Sequence, residues 1–441
     1  MSDQDWKGSR CQICTGCGHC LGADAGKTMA GNTGAVRDFG NSRGTGGGLR
    51  IVTAYEAPED AAAGPFPERL RLVTADIGTT TIAMQLFDGG GHIETDYACV
   101  NPQVRFGADV LSRIRAARDP ASAGAMRDEV RGAVAEGLKE FRSCLGQGET
   151  MRMVLAGNTT MIYLFMGYDP EELGRAPFAA THLGAVRTKI EGVPCVIFPG
   201  FSAFVGGDIM AGVYACGMRE SGELTLLIDL GTNGEMVLGD ARRGIACATA
   251  AGPAFEGGAG RGVWGADMVH LLACLRREGI VDETGLLADP YFDEGITIGD
   301  VRVTQEAVRA IQLAKGAVGA GIRILMKEYG IEEDWNAIGR VVLAGGFGYY
   351  LDPEDAAEIG LLPAQLVART RAGGNTALAG AARLGRRLLA GETGGREDPA
   401  QGAGGMMGEI LEGLDTRGME IVNLAAHPDF ERLYIEHMDL R

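Results

Sequence analysis

Two stretches of this chain put an acidic residue, a glycine and a hydroxyl at the turn between two apolar runs. Residues 72–82 contain Asp76-Ile77-Gly78-Thr79-Thr80, and residues 226–237 contain Asp229-Leu230-Gly231-Thr232-Asn233. Each reads as a strand, a tight turn and a returning strand. Glycine lets the turn backbone approach a bound group with no Cβ in the way. The exposed N–H groups and Thr hydroxyls can then face phosphate oxygens. An Asp at the strand end can hold Mg²⁺ directly or through water. A single Asp-x-Gly-Thr is a common hairpin turn. Two of them, in two halves of one chain, are what an ATP clamp between two lobes requires.

A second constellation lies at the start. Cys11, Cys14, Cys17 and Cys20 form a C-x2-C-x2-C-x2-C run. Thiolates at that spacing can wrap an iron–sulfur cubane, and Gly16, Gly18 and Gly22 permit the backbone angles of such a wrap. A [4Fe–4S] cluster is favoured. Structural zinc usually takes two C-x2-C pairs divided by a longer loop, and four ligands within ten residues is cramped for it. The bacterial ferredoxin run ends C-x3-C-P, whereas here the last spacing is x2 and Leu21 follows. The fourth ligand is therefore either Cys20 or a group from a second subunit, which leaves a homodimer open.

The elements that must position these groups fit in 441 residues, enough for two or three domains. No apolar run reaches the ~20 residues of a membrane helix, and the start has no apolar signal segment. The expectation is a cytoplasmic chain with no membrane partner. A net charge of −17 argues against nucleic acid, which calls for a basic stripe. The remaining cysteines, Cys99, Cys144, Cys195, Cys216, Cys247 and Cys274, are scattered and read as small core residues.

Along the chain, residues 1–22 form the cluster segment. Residues 23–70 read as a flexible linker, with a short strand at 50–55. Residues 71–215 make a first lobe and 216–390 a second. Residues 391–408 are a Gly-rich linker, and 409–441 a strand and helix packing on the rest. After residue 109 a helix is expected, stopped by Pro120, and then an amphipathic helix over 126–145. Thr304 can cap a long helix running to residue 327.

Further elements carry a resemblance. Residues 341–348 end an apolar strand in Gly345-Gly346-Phe347. Residues 205–215 and 375–382 are helical stretches rich in small residues, suited to crossing closely between lobes. With the two phosphate turns, their order over residues 71–390 resembles the actin, sugar-kinase and heat-shock ATPase superfamily. The resemblance implies an α/β, two-lobed actin-like ATPase of duplicated RNase H-like domains. It implies that Asp76 and Asp229 organise Mg²⁺ and the attacking water. Gly78, Thr79, Thr80, Gly231, Thr232 and Asn233 would hold phosphates, and Gly345, Gly346 and Phe347 would border adenosine. Asp208 matches a carboxylate that positions water, the alternative being a helix cap after Gly206-Gly207.

Longer stretches narrow the resemblance. Asn101-Pro102-Gln103, Gly107-Ala108-Asp109-Val110, Gly157-Asn158-Thr159-Thr160-Met161, Pro199-Gly200-Phe201, residues 251–257 and residues 344–348 are together similar to the reductive activators of corrinoid proteins. Those proteins use ATP to help return inactive Co(II) to Co(I). The resemblance implies a corrinoid protein as partner and an electron donor such as a ferredoxin or reductase. The better-known members carry a plant-type ferredoxin domain with a [2Fe–2S] cluster, and this chain has the short cysteine run instead. Rival readings are an activator of a radical 2-hydroxyacyl-CoA dehydratase, a small-molecule kinase of the same superfamily, and a nucleotide-gated scaffold.

Overall fold

The computed structural model describes residues 32–33, 36–39, 49–56, 66–67, 69–231, 233–250, 252, 255, 265–299, 301–394, 414, 416 and 418–441. Cys11, Cys14, Cys17 and Cys20, Thr232, and most of the Gly-rich stretches at 251–264 and 395–413 lie outside the described residues.

Four short strands come first: β1 (Asn32–Thr33), β2 (Val36–Phe39), β3 (Leu49–Val52) and β4 (Tyr55–Glu56). The first lobe follows with β5 (Leu70–Ile77), β6 (Thr81–Phe87), β7 (Ile93–Val100), β8 (Thr150–Gly157), β9 (Val186–Ile190) and β10 (Val193–Ile197). The second lobe holds β11 (Thr225–Leu230), β12 (Gly234–Gly239), β13 (Gly244–Thr249), the small hairpin β14 (Ile296–Ile298) and β15 (Val301–Val303), then β16 (Arg340–Ala344), β17 (Thr370–Gly374) and β18 (Met419–Val422).

The lobes repeat one topology. The first sheet runs β7-β6-β5-β8-β10-β9, and the second runs β1-β4-β17-β16-β11-β12-β13-β18. In each, an antiparallel trio, β5-β6-β7 or β11-β12-β13, is extended by parallel strands, β8 and β10 or β16 and β17. Leu72, Val73, Ala75 and Ile77 of β5 are all buried, as are Leu226, Leu227 and Ile228 of β11. Near-continuous burial is what strands covered by helices on both faces show.

The last parallel strand of each lobe leads into a helix that crosses between the lobes. These are Gly207–Ala215 and Thr376–Gly394. A Cβ on Gly380 would stand 2.0 Å from the Ala211 carbonyl oxygen, and one on Gly212 would stand 2.9 Å from Thr376 Oγ1. The small residues therefore let the two backbones touch, as their spacing suggested.

Local signals place several elements. The Thr304 hydroxyl accepts from Ala307 N and starts the long helix Gln305–Tyr329, which Gly330 closes at φ 88°. Pro120 does not merely stop a helix. The helix Val110–Ala116 ends four residues earlier, and Pro120 opens the helix Pro120–Arg142 behind the cap Asp119. Its fixed φ and missing N–H suit that first position.

One segment differs from its sequence reading. Residues 49–56, placed within the flexible linker with only a short strand allowed, belong to β3 and β4, and residues 51–55 are buried. β4 pairs with β17, and β1 pairs with β4. The few large apolar residues here, Ile51, Val52 and Tyr55, are absorbed by the gap between the lobes, which local composition does not reveal. Among the described residues no helix is long and apolar enough to cross a membrane. The six described cysteines are free, and Cys144 is exposed rather than a core residue.

Candidate functional site

Both Asp-x-Gly turns open into one cleft between the lobes, of about 260 Å³. Asp76 ends β5 and Asp229 ends β11, each the first strand of its lobe. Gly78 N donates to Thr81 O at 2.9 Å, and Gly231 N donates to Asn233 O at 2.9 Å, so each turn is pinched shut at its base. Gly78, Thr79 and Thr80 line one wall, Gly231 and Asn233 the other. Asp208, in the first turn of the first crossing helix, lies on the floor between them. The cap of that helix is Gly206, not Asp208, whose Oδ1 accepts from Ile209 N at 2.9 Å.

Gly345, Gly346 and Phe347 border the same cleft where β16 turns into a short helix. Gly345 has φ +79°, and a Cβ there would stand 2.6 Å from Asp229 Oδ1. Only glycine allows both the left-handed angle and the close approach. Phe347 stacks on Phe255, with ring centroids 4.5 Å apart. The two rings make a rigid apolar wall beside the Gly-Gly turn. Ile51 and Val52 of β3 add to the lining.

Several residues assigned no role from the sequence share the site. Glu235 lines the cleft, is buried, and stands opposite Asp229 in the β11–β12 register. Counting across the hairpin would have found it. Asn375, before the second crossing helix, donates its side-chain amide to Asp76 Oδ2 at 2.9 Å. Asn101 donates to Gly78 O at 2.8 Å while its own N–H reaches Thr80 O at 2.9 Å. The buried Asn101 thus braces the first Asp-x-Gly turn, which gives the Asn101-Pro102-Gln103 motif a structural task. Asn158 caps the helix Thr159–Met166 and faces the cleft.

The electrostatics are one-sided. Burial, with Asp208 nearby, pushes Asp76 up to about 7, and the Asn375 amide opposes this. Burial, then Asp208 and Asp76, pushes Asp229 up to about 7. Burial raises Asp208 to about 6, against two backbone N–H bonds. Burial, with Asp208 and Asp229, holds Glu235 well above the usual carboxylate range. Among the described residues that line the cleft there is no Lys, Arg or His. A polyphosphate entering alone would meet only repulsion from the side-chain charges. Carboxylates and hydroxyls are the donor set of a hard divalent cation. Among the described residues no three carboxylate, Cys or His side chains are grouped to ligate one ion. A cation held here would keep water in its shell and take phosphate oxygens, as Mg²⁺ does.

The RACo middle region matches residues 72–221, and the C-terminal ASKHA domain of RACo matches residues 223–261 and 258–389. The corrinoid activation enzyme RamQ of Eubacterium limosum is 30% identical over 377 residues, covering 70% of this chain and 63% of RamQ. The chain therefore spans less than two thirds of that relative's length. A solved structure described as a reductive activator for corrinoid, iron-sulfur protein superposes with a TM-score of 0.70 at 27% identity, over 90% of this chain and 71% of that one. The activator of the 2-hydroxyisocaproyl-CoA dehydratase from Clostridium difficile gives 11% identity and a TM-score of 0.33 over 73% of this chain and 98% of that one, too poor a superposition to argue from. With RACo regions matched over most of residues 72–389, the chain belongs to the RACo family.

Proposed function

We propose that this protein is an ATP-hydrolysing activator that helps an electron reach the cobalt of a corrinoid protein, returning Co(II) to Co(I). The observation that carries the ATP part is the cleft itself, where two phosphate turns from two lobes converge on a carboxylate floor with no cationic side chain among the described lining. The corrinoid part rests on membership of the RACo family and on what its relatives are named for.

In this reading Asp76 and Asp229 would hold Mg²⁺, which would offset the phosphate charge. The turn N–H groups of Thr79, Thr80, Thr232 and Asn233, with the Thr79, Thr80 and Thr232 hydroxyls and the Asn233 amide, hold phosphate oxygens, and Gly78 and Gly231 let the backbone come close to them. Asp208 orients the attacking water, and a carboxylate with its pKa raised to about 6 is matched to accept a proton near neutrality. The Phe255–Phe347 wall and the Gly345-Gly346 turn border the nucleoside. Cys11, Cys14, Cys17 and Cys20 would hold an iron–sulfur cluster, which would relay the donor's electron. Their spacing is the support for that assignment.

Energetics suit such a device. Each 59 mV corresponds to ~1.4 kcal/mol for one electron. A coupling free energy of ~3 kcal/mol, within the range of allosteric proteins, shifts a potential by roughly 130 mV. Lobe closure on ATP is a two-state element able to deliver a coupling of that size to a bound partner.

The test is anaerobic. The full chain, Mg-ATP, a Co(II) corrinoid protein and a low-potential donor are mixed, and Co(I) absorbance and phosphate release are followed together. ATP-dependent Co(I) formation with stimulated hydrolysis is expected. Hydrolysis indifferent to the corrinoid protein, with phosphate passed to a sugar or acyl acceptor, would replace this reading with a kinase.

A further inference from the structure

Residues 51–55, read from the sequence as a short strand within a flexible linker, touch both lobes. On one side, Thr53 Oγ1 donates to Asp96 Oδ2 at 2.8 Å and Thr53 O accepts from Gln85 Nε2 at 3.0 Å. Both partners belong to the first lobe. On the other side, Ala54 O accepts from Asn375 N at 2.9 Å, and Tyr55 pairs with Gly374 of β17. Both belong to the second lobe. A Cβ on Gly374 would stand 2.2 Å from Ala54 O, so the strap is fitted against the second lobe backbone to backbone. Immediately before these anchors, Ile51 and Val52 line the cleft.

Asn375 stands where these contacts meet. Its side-chain oxygen accepts from Leu378 N at 2.8 Å and caps the second crossing helix. One amide hydrogen serves Asp76 Oδ2 at 2.9 Å, and the same nitrogen lies 3.4 Å from Val52 O. A side-chain amide has two N–H groups, and here they point at a cleft carboxylate of the first lobe and at the strap. Asp76 cannot shift toward a cation without changing what this amide holds.

We propose that Asn375 is a positioning residue that ties Asp76 to the strap of residues 51–55, so that the occupant of the cleft sets how firmly the strap is held. The strap leads back toward the cysteine run, so the same junction would pass the state of the cleft to the N-terminal segment. The nucleotide part of this inference rests on the ATP reading above. The link between Asp76, Asn375 and the strap does not.

Hydrogen exchange of the peptide covering residues 49–56, in the full chain, tests it. In nucleotide-free protein, Asp76→Ala and Asn375→Asp should each speed exchange by about tenfold, the size of one hydrogen bond to a charged group. Asn375→Asp keeps an oxygen for Leu378 N and so keeps the cap, but it has no amide hydrogen for Asp76 or Val52. Asn375→Ala loses both. If only Asn375→Ala loosens the strap, Asn375 is a helix cap and the proposal fails. If Asp76→Ala leaves the strap within twofold of wild type, it fails as well. Mg-ATP should slow strap exchange in the wild type and do so less than half as much in Asn375→Asp. An equal response in both proteins would overturn the coupling. Absence of any Mg-ATP binding by the wild type would instead overturn the functional reading, and the nucleotide-free comparison would still decide the Asp76–Asn375 link.

Discussion

At the scale of single residues, the cleft floor is destabilising by design of its charges. Asp229 titrates near 7 in the folded chain and near 4 when unfolded. The folded state therefore binds this proton more tightly, and stability falls as pH rises from about 4 to about 7. Above about pH 7 the cost is fully present, and below about pH 4 it is gone. Three units would be ~4 kcal/mol, but the carboxylate is partly exposed to the cleft, and solvent screening leaves on the order of 1 kcal/mol. Asp229→Asn should thus melt roughly 2 °C higher than wild type at pH 8 and no higher at pH 4. The same variant should lose most of the stabilisation that Mg-ATP gives the wild type, and hydrolysis should fall by orders of magnitude. Thermal melts at both pH values, with and without Mg-ATP, check all three. A wild-type response to Mg-ATP in Asp229→Asn would remove it from the metal site. The turn chemistry at Asp76 and Asp229 is local and was legible in the sequence. Glu235 was legible only through hairpin register, and Asn375 meets Asp76 across a separation of 299 positions, beyond any local pattern.

At the scale of elements, the C-terminal helix Phe430–Glu436 is held on the long helix Gln305–Tyr329 by a buried polar staple. Lys315 Nζ donates to His437 O at 2.5 Å and to Asp439 O at 2.6 Å, and Gln312 Nε2 donates to Met438 O at 2.9 Å. Glycines let the helices approach, since a Cβ on Gly319 would stand 2.6 Å from the His437 ring and one on Gly316 would stand 3.0 Å from Tyr434 O. Lys315→Ala takes the Lys donor from His437 O, while Asp439 O keeps Arg441 N at 3.0 Å, and should cost about 1–3 kcal/mol in urea unfolding. Gly319→Val should release the C-terminal helix, seen as faster exchange over residues 430–441, while Mg-ATP binding stays within twofold, because the cleft lies elsewhere. Unchanged exchange in that region would mean that the helix holds by other contacts. The long helix itself was readable from the Thr304 cap and its 3.6-residue apolar period. Its small-residue face was not, because a glycine that admits a neighbour looks the same in sequence as one that merely weakens a helix.

At the scale of the whole molecule, the strap changes what the N-terminal segment can do. The chain between Cys20 and Asn32, where β1 begins, is twelve steps long. Fully extended, it spans at most about 40 Å. Twelve steps, rather than the whole linker of residues 23–70, separate the cysteine run from the edge strand of the second sheet. Two deletions separate the consequences. Removing residues 1–31 takes away all four clustered cysteines and leaves every described strand. That protein should bind Mg-ATP as the full chain does and hydrolyse it faster when a Co(II) corrinoid protein is added, yet pass no electrons from the donor. Removing residues 1–56 also takes the strap, and with it the apolar lining of Ile51 and Val52 and the bonds to Asn375, Gln85 and Asp96. Mg-ATP affinity should then fall by about tenfold or more, the loss of roughly 1.4 kcal/mol. Titration calorimetry gives the affinities, and the Co(I) absorbance gives the electron. If the shorter deletion still reduces cobalt at the full rate, the cysteines are not on the electron path. If the longer one binds nucleotide as well as the shorter, the strap is packing alone and the N-terminal segment works independently of the ATPase cleft.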